Sequence, residues 1–497
     1  MKKNNVRKNY IYNVMYQIVA IIIPIITTPY VSRVLGANNI GIYGYTVSIS
    51  AYFILFGSLG ISLYGQREIA YCQGDSKKYS KSFYEILLLR FIAMTISAIL
   101  FYFIFVFKSN DYSIYFKILL VEIIANMFDI SWFLQGLEEF KKTVVRNIIV
   151  RIISLVVIFL FVKSKSDLPI YFIIYVLSIL IGNLSLWLYL PKYLKKIKIK
   201  ELNMTKHLKP ALVLFVPQIA IQVYTVLDRT MIGILIPAKE EVGFYTQGEH
   251  ILKLLLTIIT SLGTVMLPRI ASIFSTGDKE KIKEYLNKSF NFVYFLGMPM
   301  VFGIISVSRK FVPVFFGSGY DRVIYVMMTI SPILIFIGLS NVLGVQYLLP
   351  TKRQKEFTIS VFVGAIINFG INLILIPKYG AIGAAIGTII AELFVTIVQL
   401  FYVRKDLNVL KILKISITYF IGSITMFVAL LFVRKIPLSN LESVLLQVSV
   451  GIVVYILYLI ITKNEFVFEY YNQFKGIIKS KSKLRRKIWN ILFVKEN

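Results

Sequence analysis

Apolar runs of about 20 residues recur along this chain, and they constrain its fold more than any other feature. A helix rises 1.5 Å per residue, so a run of this length can cross the hydrocarbon core of a bilayer. Only 16% of the residues are charged, where a soluble domain has roughly 25%. Strict alternation over about ten residues, the signature of a barrel strand, is not seen in the runs. The chain is therefore predicted to be an all-α polytopic membrane protein.

The positions of the apolar runs predict about 14 transmembrane helices. If the N-terminus is cytoplasmic, 39 of the 55 lysines and arginines fall in or beside the inner connections. Basic residues accumulate in cytoplasmic loops, so both termini are predicted to be cytoplasmic. The predicted spans lie near 11–32, 42–63, 83–107, 113–135, 144–162, 169–190, 211–236, 244–268, 289–307, 323–349, 357–376, 381–403, 413–433 and 443–462.

The distribution of charge and the scarcity of metal-binding residues exclude several functions. Because the net charge of +30 follows from the cytoplasmic loops, we expect membrane lipids and no nucleic acid as partners. One cysteine and two histidines predict no metal site, and the lack of a GxxxxGK[ST] motif predicts no ATP hydrolysis by the chain. The longest outer connection, 309–322, has a single acid, Asp321. This argues against a membrane glycosyltransferase, and no catalytic residue or cofactor is predicted.

A short motif recurs after the first and the seventh span. It reads ANNIGIYGY at 37–45 and KEEVGFYTQ at 239–247, so each copy has an aliphatic residue, Gly, a bulky apolar residue and Tyr. Six spans separate the copies, and an even number of spans predicts parallel repeats. The predicted domains are an N-terminal six-helix lobe (1–205), a C-terminal six-helix lobe (206–405), transmembrane helices 13 and 14 (406–462) and a basic cytoplasmic tail (463–497).

Three stretches of the chain carry a resemblance to a known family. They are VSRVLGANNIGIYGYTVSISAYFILFGSLGISLYGQREIA at 31–70, VLDRTMIG at 226–233 with the EVGFY that follows, and IPKYGAIGAAIGTIIAE at 376–392. In order and spacing they resemble Wzx-type oligosaccharide flippases of the multidrug/oligosaccharidyl-lipid/polysaccharide exporter superfamily. The resemblance covers about 10–462. It implies two six-helix lobes around a central cavity, in a bacterial inner membrane.

The function that the resemblance implies is transport and not catalysis. The cargo would be an undecaprenyl-pyrophosphate-linked oligosaccharide, moved from the inner to the outer leaflet for a capsule or O-antigen type of polymer. An ion gradient would drive alternating access, and the polymerase and export machinery of the same pathway would be further partners. A lipid II flippase is the alternative. A multidrug/cation antiporter is a more distant one, which the cationic residues inside the spans disfavour.

Charged residues inside the apolar spans define the predicted site. An ionised side chain at the bilayer centre costs at least about 2.5–3.5 kcal/mol, so such residues face the bundle interior, a wet cavity or each other. Since arginine makes planar bidentate contacts to phosphate, cations are predicted to bind the pyrophosphate along its path. These cations are Arg33, Arg90, Arg151, Arg229 and Lys253.

Acidic residues in and beside the spans are predicted to have coupling or structural roles. Asp228 and Arg229 point about 100° apart on a helix and cannot pair face to face, so Asp228 is expected to hold Arg229 or a neighbouring helix in place. Glu249 precedes Lys253 by four positions, the favourable order for an ion pair on one helix. The remaining acids are candidates for proton or sodium coupling, or for neutralising an arginine; they are Glu122, Asp129 and Glu392.

Overall fold

The computed structural model describes residues 3–108 and 111–469, and all regular secondary structure in these ranges is helical. Short π-helical stretches extend the third and twelfth helices at Tyr102–Val106 and Asn341–Leu348. The last part of the predicted cytoplasmic tail, 470–497, lies outside the described residues. The α-helices are α1 (Lys3–Ser58), α2 (Ile61–Tyr71), α3 (Ser76–Phe101), α4 (Ser113–Met127), α5 (Ser131–Gly136), α6 (Phe140–Phe161), α7 (Leu168–Trp187), α8 (Thr205–Leu235), α9 (Glu240–Thr276), α10 (Lys279–Phe315), α11 (Asp321–Ile330), α12 (Ile333–Ser340), α13 (Gln354–Tyr379), α14 (Ala381–Val403), α15 (Val409–Val433) and α16 (Asn440–Ile461).

Membrane-spanning helices account for most of this list. In the described ranges, 12 segments are long and apolar enough to cross a membrane. One of them, Ile18–Tyr71, contains most of the first predicted span and all of the second, and Gly36, with φ 78° and ψ 167°, lies in the connection between them. Residues that carry a side chain almost never adopt these backbone angles, so the glycine permits the kink between the two spans. The seventh predicted span coincides with the 31-residue helix α8. The predicted polytopic all-helical fold is confirmed.

The chain packs into two compact units, each assembled from three stretches of sequence. The first comprises Met1–Leu254, Val312–Ile330 and Thr358–Phe394, and the second comprises the remaining stretches, Leu255–Phe311, Ser331–Phe357 and Val395–Asn497. Every predicted site residue belongs to the first unit. The division of the chain into lobes at 1–205 and 206–405 stays a prediction.

Helix α1 organises the core of the first unit. It packs against α3, α4, α6 and α8, and its side chains Val31 and Leu35 are buried in a cluster with Phe101 and Phe172. Large aliphatic side chains such as Ile153 are more than half exposed on the outer faces of these helices. Exposed apolar faces of this extent suit a lipid environment, in which every backbone polar group is paired within its own helix.

In the second unit, the last two helices pack against each other. Helix α15 lies against α16, and a Cβ atom at Gly422 would meet the ring of Tyr458 at 2.6 Å, so the glycine lets the two helices approach closely. The hydroxyl of Ser306 on α10 donates to the amide oxygen of Gln447 on α16 at 3.0 Å. Small residues and neutral hydrogen bonds thus hold these helices together.

Candidate functional site

Helices α8 and α9 share an ion-paired cluster of three side chains, Arg229, Glu249 and Lys253, which we term the cationic triad. Nη2 of Arg229 lies 2.5 Å from Oε2 of Glu249, and Nζ of Lys253 lies 2.6 Å from Oε1. The Glu249 side chain is only 8% exposed, whereas Arg229 is 23% and Lys253 43% exposed. One buried carboxylate therefore serves two partly exposed cations, and the triad has a formal charge of +1.

The geometry of the triad follows from helix periodicity on α9 and from packing between helices. Residues four positions apart lie on one helix face, and the predicted pair of Glu249 and Lys253 is formed in this way. Arg229 approaches the same carboxylate from α8. Its Nε atom is buried and has no hydrogen-bond partner in the described structure. The guanidinium is thus held at one nitrogen, and its binding of phosphate stays a prediction.

Asp228 has a separate set of partners from those of the neighbouring Arg229. Its Oδ1 accepts hydrogen bonds from Nδ2 of Asn368 at 3.1 Å and of Asn372 at 2.6 Å, both on α13. Its Oδ2 accepts from the hydroxyl of Thr388 on α14 at 2.8 Å and from the hydroxyl of Tyr245 on α9. This buried carboxylate therefore joins α8 to three other helices through neutral donors.

Glu122 is a second buried carboxylate, and it lies within the first predicted lobe. Its Oε2 accepts a hydrogen bond from the hydroxyl of Ser50 on α1 at 2.8 Å, and its Oε1 accepts from the hydroxyl of Tyr175 on α7 at 2.7 Å. The ring of Tyr43 packs edge-on against Tyr175, with centroids 5.6 Å apart. In the described part of the chain, the hydrogen-bond donors to both Glu122 and Asp228 are uncharged groups.

Arg90 is fully buried, and its contacts lie at the end of α4. Nε and Nη2 donate to the backbone oxygen of Asn126 at 3.0 and 2.8 Å, and Nη2 lies 3.6 Å from Oδ2 of Asp129. The other oxygen of Asp129 accepts from the backbone nitrogen of Ser131 at 2.9 Å, at the start of α5. Glu85, which lies five positions before Arg90 on α3, pairs with Lys206 on α8 instead. The contacts of Arg90 are those of a residue that fixes a helix end.

The remaining predicted residues lie at separate places in the first unit. Arg33 is exposed, and its Nη2 donates to the backbone oxygen of Val314 in the last turn of α10. Arg151 is half-buried in α6, and Glu392 is buried in α14. The structure therefore brings three of the predicted residues, those of the cationic triad, into one cluster and places Arg90 beside Asp129. Contact of any of them with substrate stays a prediction.

Sequence reasoning missed the partners of Asp228. Asn368 and Asn372 are four positions apart in an apolar helix and face the same side, a signal that could have identified them. Tyr245 belongs to the repeated motif, but nothing in the motif indicates a carboxylate as its partner. Thr388 lies between Gly387 and Ile389 and gives no signal of its own.

A second missed cluster lies at the start of α8. The imidazole of His207 is 2.9 Å from Oε2 of Glu85 and 2.6 Å from the hydroxyl of Tyr64. Nζ of Lys206 lies 2.7 Å from the same carboxylate oxygen, and the backbone nitrogen of Asn203 donates to the other oxygen at 2.8 Å. These contacts tie the connection that precedes α8 to α2 and α3.

A family model described as "Polysaccharide biosynthesis protein" matches residues 6–274 of this chain. A protein described as an O-antigen transporter of Escherichia coli (strain K12) is 25% identical over 408 residues, which are 81% of this chain and 98% of that protein. The capsular polysaccharide biosynthesis protein CapF of Staphylococcus aureus is 24% identical over 409 residues, 80% of this chain and 99% of that protein.

A solved structure has the same fold over nearly the whole chain. It is that of the lipid II flippase MurJ in an inward closed conformation, with a TM-score of 0.74 and 19% sequence identity. The match covers 92% of this chain and 99% of that one. At this identity the likeness shows a common all-helical membrane fold.

Proposed function

The chain belongs to the polysaccharide biosynthesis protein family, and from this premise we propose that it is a flippase for lipid-linked oligosaccharides. The cargo is an undecaprenyl-pyrophosphate-linked oligosaccharide, moved from the inner to the outer leaflet for a surface polysaccharide of capsule or O-antigen type. Two similar proteins, one described as an O-antigen transporter and one as a capsular polysaccharide biosynthesis protein, support this class of substrate. The protein moves the molecule without making or breaking a bond in it.

The observation that carries this proposal is the cationic triad. A pyrophosphate is polyanionic, and partly exposed arginine and lysine side chains can replace the water around its oxygens. Glu249 holds both cations in place and neutralises one of the two charges. A site with a charge of +1 attracts a pyrophosphate and binds it weakly enough to release it again, as transport requires.

We place the energy coupling at Glu122 and Asp228. An ionised carboxylate inside the membrane is costly unless a cation accompanies it. The described partners of these two side chains are hydroxyl and amide groups, so the compensating charge has to come from a bound proton or metal ion. A gradient of such an ion across the membrane would then drive the cycle.

The ligand set around Asp228 fits a sodium ion when its amides are turned. Exchange of oxygen and nitrogen in the Asn368 and Asn372 side chains would direct two amide oxygens at the carboxylate region. The Oδ1 atom of Asn372 is buried and has no partner in the described structure, as expected if that amide can turn. With the hydroxyls of Tyr245 and Thr388, the set would supply the oxygen ligands that hard cations prefer.

The proposed location is the bacterial inner membrane, with both termini in the cytoplasm. The excess of lysine and arginine in alternate connections supports this orientation. The orientation can be tested with two reporter fusions at the C-terminus, one of which is active only in the cytoplasm and the other only outside the cell. We also propose that the polymerase and export machinery of the same pathway act on the flipped product, and co-purification of these proteins from cross-linked membranes would test that association.

A lipid II flippase is the second candidate, because the chain shares its fold with such a protein over 92% of its length. The two substrates have the same lipid and pyrophosphate and differ in their sugars. A multidrug/cation antiporter is disfavoured, since the partly exposed cations of the triad would repel a cationic drug.

Gene deletion and complementation test the proposed function. We expect loss of one surface polysaccharide in the deletion strain, with accumulation of its undecaprenyl-linked repeat unit on the cytoplasmic side, and recovery of both upon complementation. Rescue of a strain that lacks its lipid II flippase, with surface polysaccharide intact in the deletion strain, would favour the second candidate. Intact surface polysaccharide together with lost cation efflux would exclude both flippase assignments.

A further inference from the structure

Three tyrosine side chains lie beside Glu122 in the first unit, and we term them the tyrosine cluster. They are Tyr43 on α1 and Tyr171 and Tyr175 on α7. The ring of Tyr43 meets those of Tyr171 and Tyr175 edge-on, with centroids 5.0 and 5.6 Å apart. The hydroxyl of Tyr175 donates to Oε1 of Glu122 at 2.7 Å. One phenol of the cluster therefore contacts the carboxylate directly, and the other two lie close to that phenol.

The tyrosine cluster faces the interior of the helix bundle, yet water can reach it. Ile173 and Leu177 are exposed on the outer face of α7. Positions two apart on a helix point roughly 160° apart, so Tyr171 and Tyr175 point away from this face. Both tyrosines are nevertheless only half-buried, as is Tyr43. The surface that Tyr171 and Tyr175 leave exposed lies inside the bundle, where water can contact these side chains.

Tyr43 interacts with Glu122 and with the cationic triad. Its hydroxyl is close enough to both the Glu122 carboxylate and the Arg229 guanidinium for an electrostatic interaction with each. The same hydroxyl lies within reach of that of Tyr171. A phenol hydroxyl can donate and accept a hydrogen bond at the same time. Groups that can pass a proton thus extend from the carboxylate, through the tyrosine cluster, toward the proposed substrate site.

The hydrogen bonds of Glu122 suit both of its charge states. As a carboxylate it accepts from Tyr175 at one oxygen and from Ser50 at the other. As an acid it can donate to the oxygen of either hydroxyl, because each hydroxyl has acceptor capacity of its own. Oγ of Ser50 also lies 3.0 Å from the backbone oxygen of Val47, so its hydrogen has a second acceptor when Glu122 is the donor. Glu122 can therefore take up a proton while hydroxyl groups turn and the helices stay in place.

We propose that the tyrosine cluster is the path by which the coupling proton travels between water inside the bundle and Glu122. This path deepens the proposed function and rests on it, since Glu122 is a coupling site there. In the transfer, the O–H bond of Tyr175 breaks as an O–H bond forms on Glu122. A proton from a neighbouring phenol restores Tyr175, and a hydronium ion restores that phenol and leaves as water. Each phenol loses and regains one proton, so Glu122 alone changes its charge.

A pH jump on the purified protein tests this path without any substrate. The infrared carbonyl stretch of a protonated carboxyl group reports the charge of Glu122, and Glu122→Gln identifies the band by its absence. Tyr175→Phe keeps the ring and removes the hydroxyl that contacts the carboxylate. A positioned proton donor accelerates transfer by a factor of about 10²–10⁴, so we expect protonation to slow at least tenfold in Tyr175→Phe. The band should still reach its wild-type height at low pH.

Tyr115→Phe is the matched control for this variant. Its ring stacks on Phe172 with centroids 4.8 Å apart, so the substitution removes a hydroxyl beside the tyrosine cluster and leaves the cluster itself unchanged. It should be protonated at the wild-type rate. The double variant Tyr43→Phe with Tyr171→Phe keeps Tyr175 and removes both neighbouring phenols, and it should slow protonation as well. This double variant decides the question if Tyr175→Phe does not fold.

Vesicles with one ion gradient at a time distinguish a proton path from a structural role of the tyrosines. Tyr175→Phe should lose at least about nine-tenths of the stimulation of transport by a proton gradient, because the transfer step is slowed. Stimulation by a sodium gradient should persist. Equal loss under both gradients would show a structural role and would overturn the path, as would protonation of Glu122 at the wild-type rate after the pH jump.

The pH jump also separates failure of the path from failure of the proposed function. Protonation of Glu122 requires no substrate, so its rate reports on the tyrosine cluster whatever the protein transports. If Tyr175→Phe is protonated slowly and the wild-type protein moves no lipid-linked oligosaccharide, the path stands and the proposed substrate is wrong. If the wild-type protein moves this substrate and Tyr175→Phe is protonated at the wild-type rate, the proposed substrate stands and the path is overturned.

Discussion

Arg229 and Glu249 belong to neighbouring helices, and a guanidinium nitrogen of one lies 2.5 Å from a carboxylate oxygen of the other. The same carboxylate holds Lys253 at 2.6 Å, so loss of either cation leaves Glu249 paired and loss of Glu249 leaves two cations side by side. Substitutions in the triad therefore change its charge in steps of one. This property allows the proposed role of the triad to be tested with variants that differ little in shape.

Removal of Arg229 should abolish most export. In Arg229→Ala, Glu249 neutralises Lys253 and the cluster has no net charge. A hydrogen bond to a charged group contributes roughly 1.5–3 kcal/mol, so we expect transport to fall at least about tenfold. Surface polysaccharide in a complemented deletion strain measures the effect, with an immunoblot to show that the protein level is maintained.

Arg229→Lys is the matched control for this variant. It keeps the charge but loses the planar guanidinium, so it should restore only part of the export. Full export by Arg229→Lys would contradict bidentate binding of phosphate. Full export by Arg229→Ala at normal protein level would exclude the arginine from the substrate path.

Removal of the negative charge of Glu249 should strengthen substrate binding, whereas removal of Arg229 should weaken it. Glu249→Gln raises the formal charge from +1 to +2, so the substrate head should bind more tightly and leave more slowly. An added charge at a partly exposed site is worth roughly 1 kcal/mol, about fivefold in affinity. Binding of a pyrophosphate-linked lipid to the purified protein, together with turnover in vesicles, measures both effects. Lys253→Gln lowers the charge and is the control; weaker binding to Glu249→Gln would refute the electrostatic role.

Arg90 should matter for stability more than for transport. In Arg90→Lys, one ammonium group cannot reproduce two hydrogen bonds to Asn126 together with the ion pair to Asp129. Loss of a hydrogen bond that involves a charged group costs about 1.5–3 kcal/mol, so we expect a lower thermal midpoint in detergent and a lower level in membranes. Arg151→Lys, a half-buried site, is the control and should change neither. A normal protein level with lost transport would instead favour the predicted role of Arg90 as a cation of the substrate path.

Substitutions at Glu122 and Asp228 should show which coupling ion each carboxylate binds. Each is close to isosteric with its amide, so Glu122→Gln and Asp228→Asn remove the charge and leave the packing nearly unchanged. We expect Glu122→Gln to lose the stimulation of transport by a proton gradient, and Asp228→Asn to lose the stimulation by sodium. Vesicles loaded with one gradient at a time measure each effect. Equal stimulation of wild type and both variants by both gradients would exclude these carboxylates from coupling.

The membrane helices could be predicted because their cause is local. In hydrocarbon each backbone polar group must be paired within its own segment, so an apolar run of sufficient length forms a helix whatever surrounds it. The pair of Glu249 and Lys253 was predictable for a similar reason, since four positions on a helix bring side chains to the same face. The repeated motif could be recognised in the sequence as well. The contact between its two copies, in which Gly41 lies against the backbone oxygen of Lys239, could not.

Partners on different helices could not be predicted, and tertiary structure alone decided them. Arg90 pairs with Asp129 and not with Glu85, and Asp228 bonds to two asparagines about 140 residues away. The sequence shows that a charge in an apolar helix needs a partner. Which partner it finds depends on how the helices rotate and pack against one another. The packing of the helices is determined by many weak contacts throughout the bundle, so it cannot be read from one segment. Helix formation in a membrane depends on each segment separately.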